Sequence, residues 1–381
     1  MLLREYSFGN YSVQVHDSIQ SANADEKWNQ ITSLNSQLEP SYLKALELSK
    51  PEDVTFRYVC IRDQHEIIAR VYFQILHFGH RNISVRNSSF LQKLAAVVVR
   101  FSPFKIIIGG NLFAVDFSPL DFNAEKILST DLMQIIIGFI QSEKYDVFVL
   151  KDLPTEFTPD VMNPFDLRFF GTDLTMELKI QPEWKTFADY EKALTHKYAQ
   201  RCRKIRKAST EVQRLILTDE LFQKYQERIT ELFREICSKQ SIRMGIVDEK
   251  YFIALRNACK DRFRMIGYFI GEKLIAFSST LEHQEKLEVH YIGLDYTYNK
   301  SHALYFNILF DGIEQAILSE KKILELGRTA REAKAVVGCN PVYFNDYLRI
   351  RNKFTRRIVS IFQDYFQSEM GDTWKNRHPF K

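Results

Sequence analysis

The sequence predicts an α+β protein in which one small unit, built on a mixed sheet, occurs twice. From Phe263 to Pro341 the apolar period changes in the order strand, strand, strand, helix, strand. The same order of elements occurs in residues 56–150. The length of 381 residues and the hydrophobic share of 45% suit a globular chain with two domains.

The second copy shows the clearer pattern. RFRMIGYFIGEKLIAFSSTLEH has two apolar runs around Gly271 and predicts a hairpin, and KLEVHYIGLDY predicts a third strand. Apolar residues at helical spacing from Leu304 to Ile317 predict a helix, and ILEL at Ile323 a fourth strand. We expect the third strand, a helix start at residues 299–302 and the loop after the fourth strand to meet at one sheet edge. Unpaired N–H groups at a helix start suit an anionic group.

The first copy aligns with the second without gaps. FRYVCIRDQHEIIARVYF overlies FRMIGYFIGEKLIAFSST, so that Phe56 corresponds to Phe263 and Ala69 to Ala276. KIIIGGNLFAVDF then predicts a third strand, residues 127–140 a helix and YDVFVL a fourth strand. Chance similarity of short hairpins is the alternative, but agreement in order favours duplication. We expect the copies to differ most in residues 74–104.

A boundary is predicted near residues 171–182, after a loop that contains prolines. It gives an N-terminal domain over residues 1–175 and a C-terminal domain over residues 176–381, with a basic linker helix and the active site in the second. The linker, TFADYEKALTHKYAQRCRKIRKAST, clusters basic residues: Lys192, His196, Lys197, Arg201, Arg203, Lys204, Arg206 and Lys207. The cluster either contacts phosphates of a nucleotide, tRNA or anionic lipid without sequence preference, or forms a solvated helix face.

The composition limits the classes of partner. The formal net charge of +4 is too small to argue for nucleic acid or membrane binding by the whole protein, and we predict no DNA partner. The five cysteines are scattered without a CxxC pair, which predicts a reduced cytoplasmic setting and no metal site. No signal peptide is expected from MLLREYSFGNYSVQ. The apolar segment Leu94–Val115 contains charges and predicts buried strands, with peripheral contact at the inner membrane face as the alternative.

Three segments carry a resemblance to a known family: residues 197–201, Ile292-Gly293-Leu294-Asp295-Tyr296, and GRTAREAKAVVGCNP from Gly327 to Pro341. The pattern resembles the tandem GCN5-related N-acetyltransferase (GNAT) fold, and more narrowly its Fem-type and cellulose-biosynthesis-type acyltransferases. The resemblance implies transfer of an acyl or aminoacyl group to an amine. It also implies a thioester chain in a split between the third and fourth strands, with a pyrophosphate at the next helix start. The usual Q/R-x-x-G-x-G/A is replaced here by YTYNKSH at residues 296–302.

Amide formation needs a group that takes the proton of the amine. By alternation along the third strand, Glu288 and His290 share one face and Asp295 lies on the other. His290 is the predicted base, with Glu288 and Asp295 as further catalytic candidates whose pKa burial would have to raise. For each of them a purely structural role is the alternative.

The residues predicted to bind the donor follow the third and fourth strands: Gly293, Asn299, Lys300, Ser301, His302, Arg328 and Lys334. Asn299 and Ser301 are alternatively helix caps. Arg328 is alternatively paired with Glu325 or Glu332, and Lys334 is alternatively solvated.

Three hypotheses for the function result. The first is an N-acyltransferase without a tightly bound cofactor, which moves an acyl group from acyl-CoA or acyl carrier protein to an amine of a lipid, sugar or amino-acid precursor. The second is a Fem-like aminoacyl-tRNA-dependent ligase, disfavoured because the helices in residues 219–259 are too short for a coiled-coil arm. The third is a non-catalytic GNAT-fold binding module.

Overall fold

A computed structural model of the chain describes residues 1–24, 28, 38–64, 66–79, 82, 97–155, 157–237, 249–360, 375 and 377–381. Within these residues the chain forms two compact units. The N-terminal unit contains residues 1–173 and the described residues 249–258 and 343–360. The C-terminal unit contains residues 174–237, 259–342, 375 and 377–381 of the described part. The domain limits 1–175 and 176–381 stay a prediction.

Both units are built from β-strands and α-helices. The strands are β1 (Leu2–Phe8), β2 (Tyr11–His16), β3 (Val54–Asp63), β4 (Glu66–Phe78), β5 (Phe104–Gly109), β6 (Leu120–Phe122), β7 (Val147–Leu153), β8 (Arg168–Lys179), β9 (Gln213–Ile216), β10 (Phe263–Ile270), β11 (Lys273–Glu282), β12 (Lys286–Leu294), β13 (Ile323–Glu325) and β14 (Asn340–Ile350). The helices are α1 (Ile19–Ala22), α2 (Pro40–Ser49), α3 (Ser129–Ser142), α4 (Pro159–Met162), α5 (Phe187–Ala193), α6 (His196–Ala208), α7 (Asp219–Cys237), α8 (Glu249–Cys259), α9 (Tyr296–His302), α10 (Leu304–Leu318) and α11 (Arg331–Val336). Residues 97–101 and 353–360 are also helical.

The N-terminal unit is a mixed sheet covered by α3. Strands β1 to β5 pair antiparallel in chain order, β5 pairs parallel with β7, and β7 pairs antiparallel with β14. Helix α3 buries an apolar face because its large residues recur at helical spacing. From that face Phe139 stacks on Phe73 of β4, with ring centroids 4.7 Å apart.

The C-terminal unit has the predicted order of strands and helices. Strands β9 to β12 pair antiparallel in spatial order β9-β10-β11-β12, and β12 pairs parallel with β13. Strand β13 in turn pairs antiparallel with the end of β8. Helix α10 contains the predicted apolar run from Leu304 to Ile317, and its buried residues Ile308, Leu309 and Ile313 pack in the core of this unit.

The two aligned hairpins also share a register shift and a left-handed residue in the turn. In the first, the register shifts between Ile61 and Arg62. In the second it shifts between Tyr268 and Phe269, which are the aligned positions. Each turn also has a left-handed residue at the aligned place, Gln64 with φ of 51° and Gly271 with φ of 56°. Related proteins tend to keep their β-bulges at the same positions, so a bulge and a turn at aligned positions support a duplicated unit.

Some predicted elements differ from the structure. The linker is not one helix but α5 and α6, because Leu194 between them is buried and extended, with ψ of 146°. The boundary segment 171–182 is largely strand β8, whose hydrogen-bond partner β13 is distant in sequence. The helix start expected at residues 299–302 lies at Tyr296 instead, because Asp295 caps it. Strands β1, β2 and β9 were not predicted.

Other predictions are only partly covered by the described residues. In the segment from Leu94 to Val115, β5 is a buried strand as predicted, and residues 94–96 lie outside the description. The prediction was wrong for residues 97–101, which are helical, with Phe101 80% exposed. Residues 80–81 and 83–96 of the expected divergent region also lie outside it. Among the described helices, none is both long and apolar enough to span a bilayer. Cys60, Cys202, Cys259 and Cys339 are buried, and none of them is in a disulfide bond within the described residues.

Candidate functional site

The strands β12 and β13 separate after three residues of pairing. Their parallel register runs from Lys286 opposite Ile323 to Glu288 opposite Glu325. Beyond Glu325 the chain stays with β8 instead, since Leu326 N donates to Met176 O at 2.9 Å. Within the described residues, the rest of β12 up to Leu294 pairs only with β11. The C-terminal unit therefore has a split between its third and fourth core strands.

The equivalent strands of the N-terminal unit stay together. There β5 pairs with β7 from Ile106 opposite Val147 to Gly109 opposite Leu150, which is the last residue of β5. A Cβ added at Gly109 would lie 2.6 Å from a methyl carbon of Leu150, so the two strands are in close contact. Among the described residues, the third and fourth core strands therefore separate only in the C-terminal unit.

Glu288 and His290 lie where the split begins, and alternation predicted their shared face correctly. Glu288 Oε1 lies 2.5 Å from His290 Nδ1, and Glu288 Oε2 lies 3.1 Å from His283 Nε2. Burial alone would raise the pKa of Glu288, but the two histidines outweigh it and the pKa is lowered. The carboxyl group is thus ionised at neutral pH and can orient both imidazole rings.

His283 is a site residue that the sequence analysis missed. It follows the end of β11, and it reaches Glu288 because β11 and β12 form a hairpin in which Leu281 faces Glu288. Its side chain is 5% exposed. The signal was present in the sequence, since LEH and KLEVH bracket a short turn and place acid and imidazole groups on paired strands.

Asp295 is the N-cap of α9. Its Oδ1 accepts a hydrogen bond from Thr297 N at 3.1 Å, and its Oδ2 lies 2.8 Å from Arg228 Nη2 and 3.4 Å from Lys273 Nζ. Burial acts to raise the pKa of Asp295, but the Thr297 hydrogen bonds and the Lys273 charge lower it overall. An ionised capping carboxylate of lowered pKa is a weak proton acceptor, so its geometry suits a structural role.

Gly293 and the residues of α9 mostly serve packing and capping. A Cβ at Gly293 would lie 2.3 Å from Phe277 Cε1 and 2.9 Å from Leu232 Cβ, so neighbouring side chains require the glycine. Asn299 Oδ1 accepts from Tyr305 N at 3.0 Å and so caps α10. Ser301 Oγ donates to Tyr298 O at 3.2 Å.

The last two residues of α9 differ in exposure. Lys300 is exposed, whereas His302 is buried and its Nε2 lies 2.5 Å from Glu211 Oε1. Of the donor-binding candidates on this helix, Lys300 is therefore the one whose charge faces solvent.

Lys334 and Arg328 follow β13 on the other side of the split. Lys334 is 3% exposed, and its Nζ donates to Gly327 O at 3.0 Å. Burial lowers the pKa of this amine to about 7. Arg328 is exposed, and its carbonyl oxygen accepts from Arg331 Nε at 3.1 Å.

The glutamates considered as partners of Arg328 make other ion pairs. Glu325 lies 2.8 Å from Lys286 Nζ, and Glu332 pairs with Arg377. Thr175 also donates to Glu325, at 3.1 Å. Lys286 and Thr175 at the base of the split were not predicted, since β8 reaches β13 only through the tertiary fold.

Comparisons with known proteins bear on the fold. No protein-family model matches the sequence, and no curated protein matches it. Among the solved structures that match, FemX is 10% identical, with a TM-score of 0.56, over 90% of this chain and 98% of its own. A tandem GNAT protein from the clavulanic acid biosynthesis pathway is 8% identical, with a TM-score of 0.53, over 89% of this chain and 98% of its own. The C-terminal domain of a lysylphosphatidylglycerol synthetase from Agrobacterium fabrum is 10% identical, with a TM-score of 0.50, over 92% of this chain and 98% of its own. The chain therefore has the tandem GNAT fold, and the predicted α+β class is confirmed.

Proposed function

We propose that the C-terminal unit is an N-acyltransferase that moves an acyl group from a thioester to an amine. The observation that carries the proposal is the split after Glu288, beside an ionised carboxylate that holds His290 at 2.5 Å. The exposed edge of β12 offers backbone groups to an extended acyl chain, as in β-strand addition. The GNAT fold supports this class of chemistry by analogy.

In the proposed reaction, the amine nitrogen attacks the thioester carbonyl and the nitrogen–carbon bond forms. The imidazole of His290 takes a proton from the amine, directly or through one water. Collapse of the tetrahedral intermediate breaks the carbon–sulfur bond, and the thiolate leaves and takes up a proton. Glu288 acts as a positioning residue, since its ionised carboxylate fixes the ring that accepts the proton.

The residues at the start of α9 help to decide which thioester donor the site favours. A coenzyme A pyrophosphate would accept hydrogen bonds from helix N–H groups. Here the carboxylate of Asp295 already accepts from Thr297 N and places a negative charge at that position. We therefore favour acyl carrier protein over acyl-CoA as the thioester donor. The acceptor is proposed as an amine of a lipid, sugar or amino-acid precursor.

The test is acyl transfer by the full chain with acyl carrier protein and acyl-CoA donors against a panel of amines. His290→Ala should lower kcat/KM by about 100-fold or more, because it removes the base. Glu288→Gln should change the pH profile of the rate, because it removes the charge that orients the ring. The control is His77→Ala, which changes an exposed histidine on β4 of the N-terminal unit and should leave the rate unchanged.

Two outcomes would contradict the proposal. Full activity of both His290→Ala and Glu288→Gln would exclude the site. No turnover with any thioester and amine would favour the binding module instead.

A second candidate is the Fem-like aminoacyl-tRNA-dependent ligase. It is favoured by exposed basic residues on α6, where Lys197, Lys204 and Lys207 point to solvent. Other basic residues of this helix are engaged within the unit: Arg206 pairs with Asp311, and Arg203 lies 3.4 Å from Glu191. Aminoacyl transfer from charged tRNA, weakened by raised salt, would support this candidate. Thermal shifts with tRNA and with acyl carrier protein separate the two.

A further inference from the structure

A second candidate site lies in the N-terminal unit and shares no residue with the proposed acyl-transfer site. It is a surface pocket of about 320 Å³ where α3 ends, β7 begins and β14 ends. The polar and charged residues that line it are Gln141, Lys144, Tyr145, Asp166, Arg349 and Arg351. Small-molecule sites begin at roughly 300 Å³, so the volume suits a small ligand.

The charge of the lining is strongly asymmetric. Lys144, Arg349 and Arg351 supply three positive charges, and Asp166 supplies one negative charge. Asp166 Oδ2 lies 3.6 Å from Arg349 Nε. This carboxylate offsets little of the positive charge, because its side chain is 57% exposed and the solvent screens it. The pocket therefore favours a ligand with about two negative charges.

Arg349 has hydrogen-bonding capacity that the protein does not use. Its Nη1 is buried and, among the described residues, has no hydrogen-bond partner. A buried donor without a hydrogen-bond partner is energetically unfavourable, and more so when it is charged. The planar guanidinium fork matches two oxygens of a phosphate or carboxylate.

Tyr145 adds a neutral donor next to these charges. It is 4% exposed, and burial raises the pKa of its hydroxyl group. The hydroxyl therefore stays protonated at neutral pH and can donate to an anion. The preceding Lys144 has a left-handed backbone, with φ of 53°, which turns the chain sharply between the end of α3 and β7.

We propose that this pocket binds a phosphate monoester, held by Arg349 and Arg351 together with Lys144 and the Tyr145 hydroxyl group. A phosphate monoester carries close to two negative charges at neutral pH, which matches the excess of cations in the pocket. The phosphate belongs either to a free metabolite or to the headgroup of a lipid such as phosphatidate.

Calorimetric titration of the full chain tests the proposal, with inorganic phosphate and glycerol 3-phosphate as probes at constant ionic strength. Both should bind saturably with one site per chain. Arg349→Gln and Arg351→Gln should each weaken binding at least about tenfold, since a charged hydrogen bond is lost. Arg349→Lys should bind more weakly than the unchanged protein, because it keeps the charge but loses the fork. The matched control is Arg100→Gln, an exposed arginine of the same unit outside the pocket, which should bind normally.

Vesicles of phosphatidylcholine with and without phosphatidate distinguish the two sources. Saturable binding of glycerol 3-phosphate indicates a soluble ligand, whereas binding only to phosphatidate vesicles, lost in Arg351→Gln, indicates a lipid headgroup. Arg351 is exposed, so this variant should fold normally. Absence of binding in both assays, or equal losses in Arg100→Gln and Arg351→Gln, would overturn the proposal. Neither result affects acyl transfer, which is measured separately.

Discussion

At the scale of single residues, two buried ionisable groups on opposite sides of the split differ in how they are stabilised. Glu288 is held between two imidazole rings, which lower its pKa despite burial. Lys334 is buried without a comparable opposite charge at hydrogen-bond distance, since its ammonium group donates to the carbonyl of Gly327. Its pKa is accordingly lowered to about 7. A lysine with this pKa is partly neutral near pH 7.

Lys334→Met should change how stability depends on pH. The pKa of Lys334 is about 7 in the folded chain and ordinarily 10.5, so the unfolded chain binds more protons between these values. The free energy of unfolding should therefore rise from pH 7 to pH 10, and the variant should lose that rise. At pH 6 the variant should be more stable by about 1–3 kcal/mol, because no charge is buried.

Urea unfolding at pH 6, 7.5 and 9 measures this effect. Lys300→Met, a change of an exposed lysine on α9, is the control and should keep the slope of the unchanged protein. An identical slope in Lys334→Met would show that the amine is solvated in the folded state.

At the scale of elements, the short helix α9 depends on its first residue. Seven residues form a marginal helix by themselves, so capping and tertiary contacts decide whether it forms. Asp295 supplies the cap and also pairs with Arg228 and Lys273. The helix in turn carries Asn299, which caps α10. One carboxylate thus orders the connection between β12 and the main helix of the unit.

Asp295→Ala should destabilise the chain by about 1–2 kcal/mol, the range for loss of an N-cap. Asp295→Asn should cost less than half of that, because asparagine caps well and only the ion pairs are lost. Denaturant unfolding gives both values. Acyl-transfer rates decide between a cap and a catalytic base: a folded Asp295→Asn variant without activity would contradict the structural role.

At the scale of the whole molecule, the two units are not consecutive halves of the chain. The N-terminal unit contains residues 343–350 of β14 from far along the sequence, and Asn345–Ile350 of this strand pair with β7. It also takes α8, where Tyr251 is fully buried and lies near Phe113, with ring centroids 6.4 Å apart. A core completed by distant segments folds only when those segments are present.

A fragment of residues 1–175 should therefore not fold into a stable unit. It lacks β14, so the edge of β7 that binds Tyr347 and Leu348 is left unpaired. Circular dichroism and the dispersion of amide proton resonances should show a molten or unfolded chain, whereas the full chain melts cooperatively. The same fragment joined by a linker to residues 249–258 and 343–360 should recover order. A cooperative melt of the short fragment would disprove this dependence on the later segments.

The sequence alone determined the fold class, the order of elements in each unit and the shared face of Glu288 and His290. These depend on local periodicity, which side-chain direction in strands and helices imposes directly. It did not determine that β12 and β13 separate after Glu288, that His283 joins Glu288, or that Asp295 caps α9. Those features arise from pairing between strands distant in the chain. For example, Leu326, which follows β13, donates a backbone hydrogen bond to Met176 of β8. The burial of Lys334 likewise follows from packing, since a lysine in a six-residue helix carries no local sign of its surroundings.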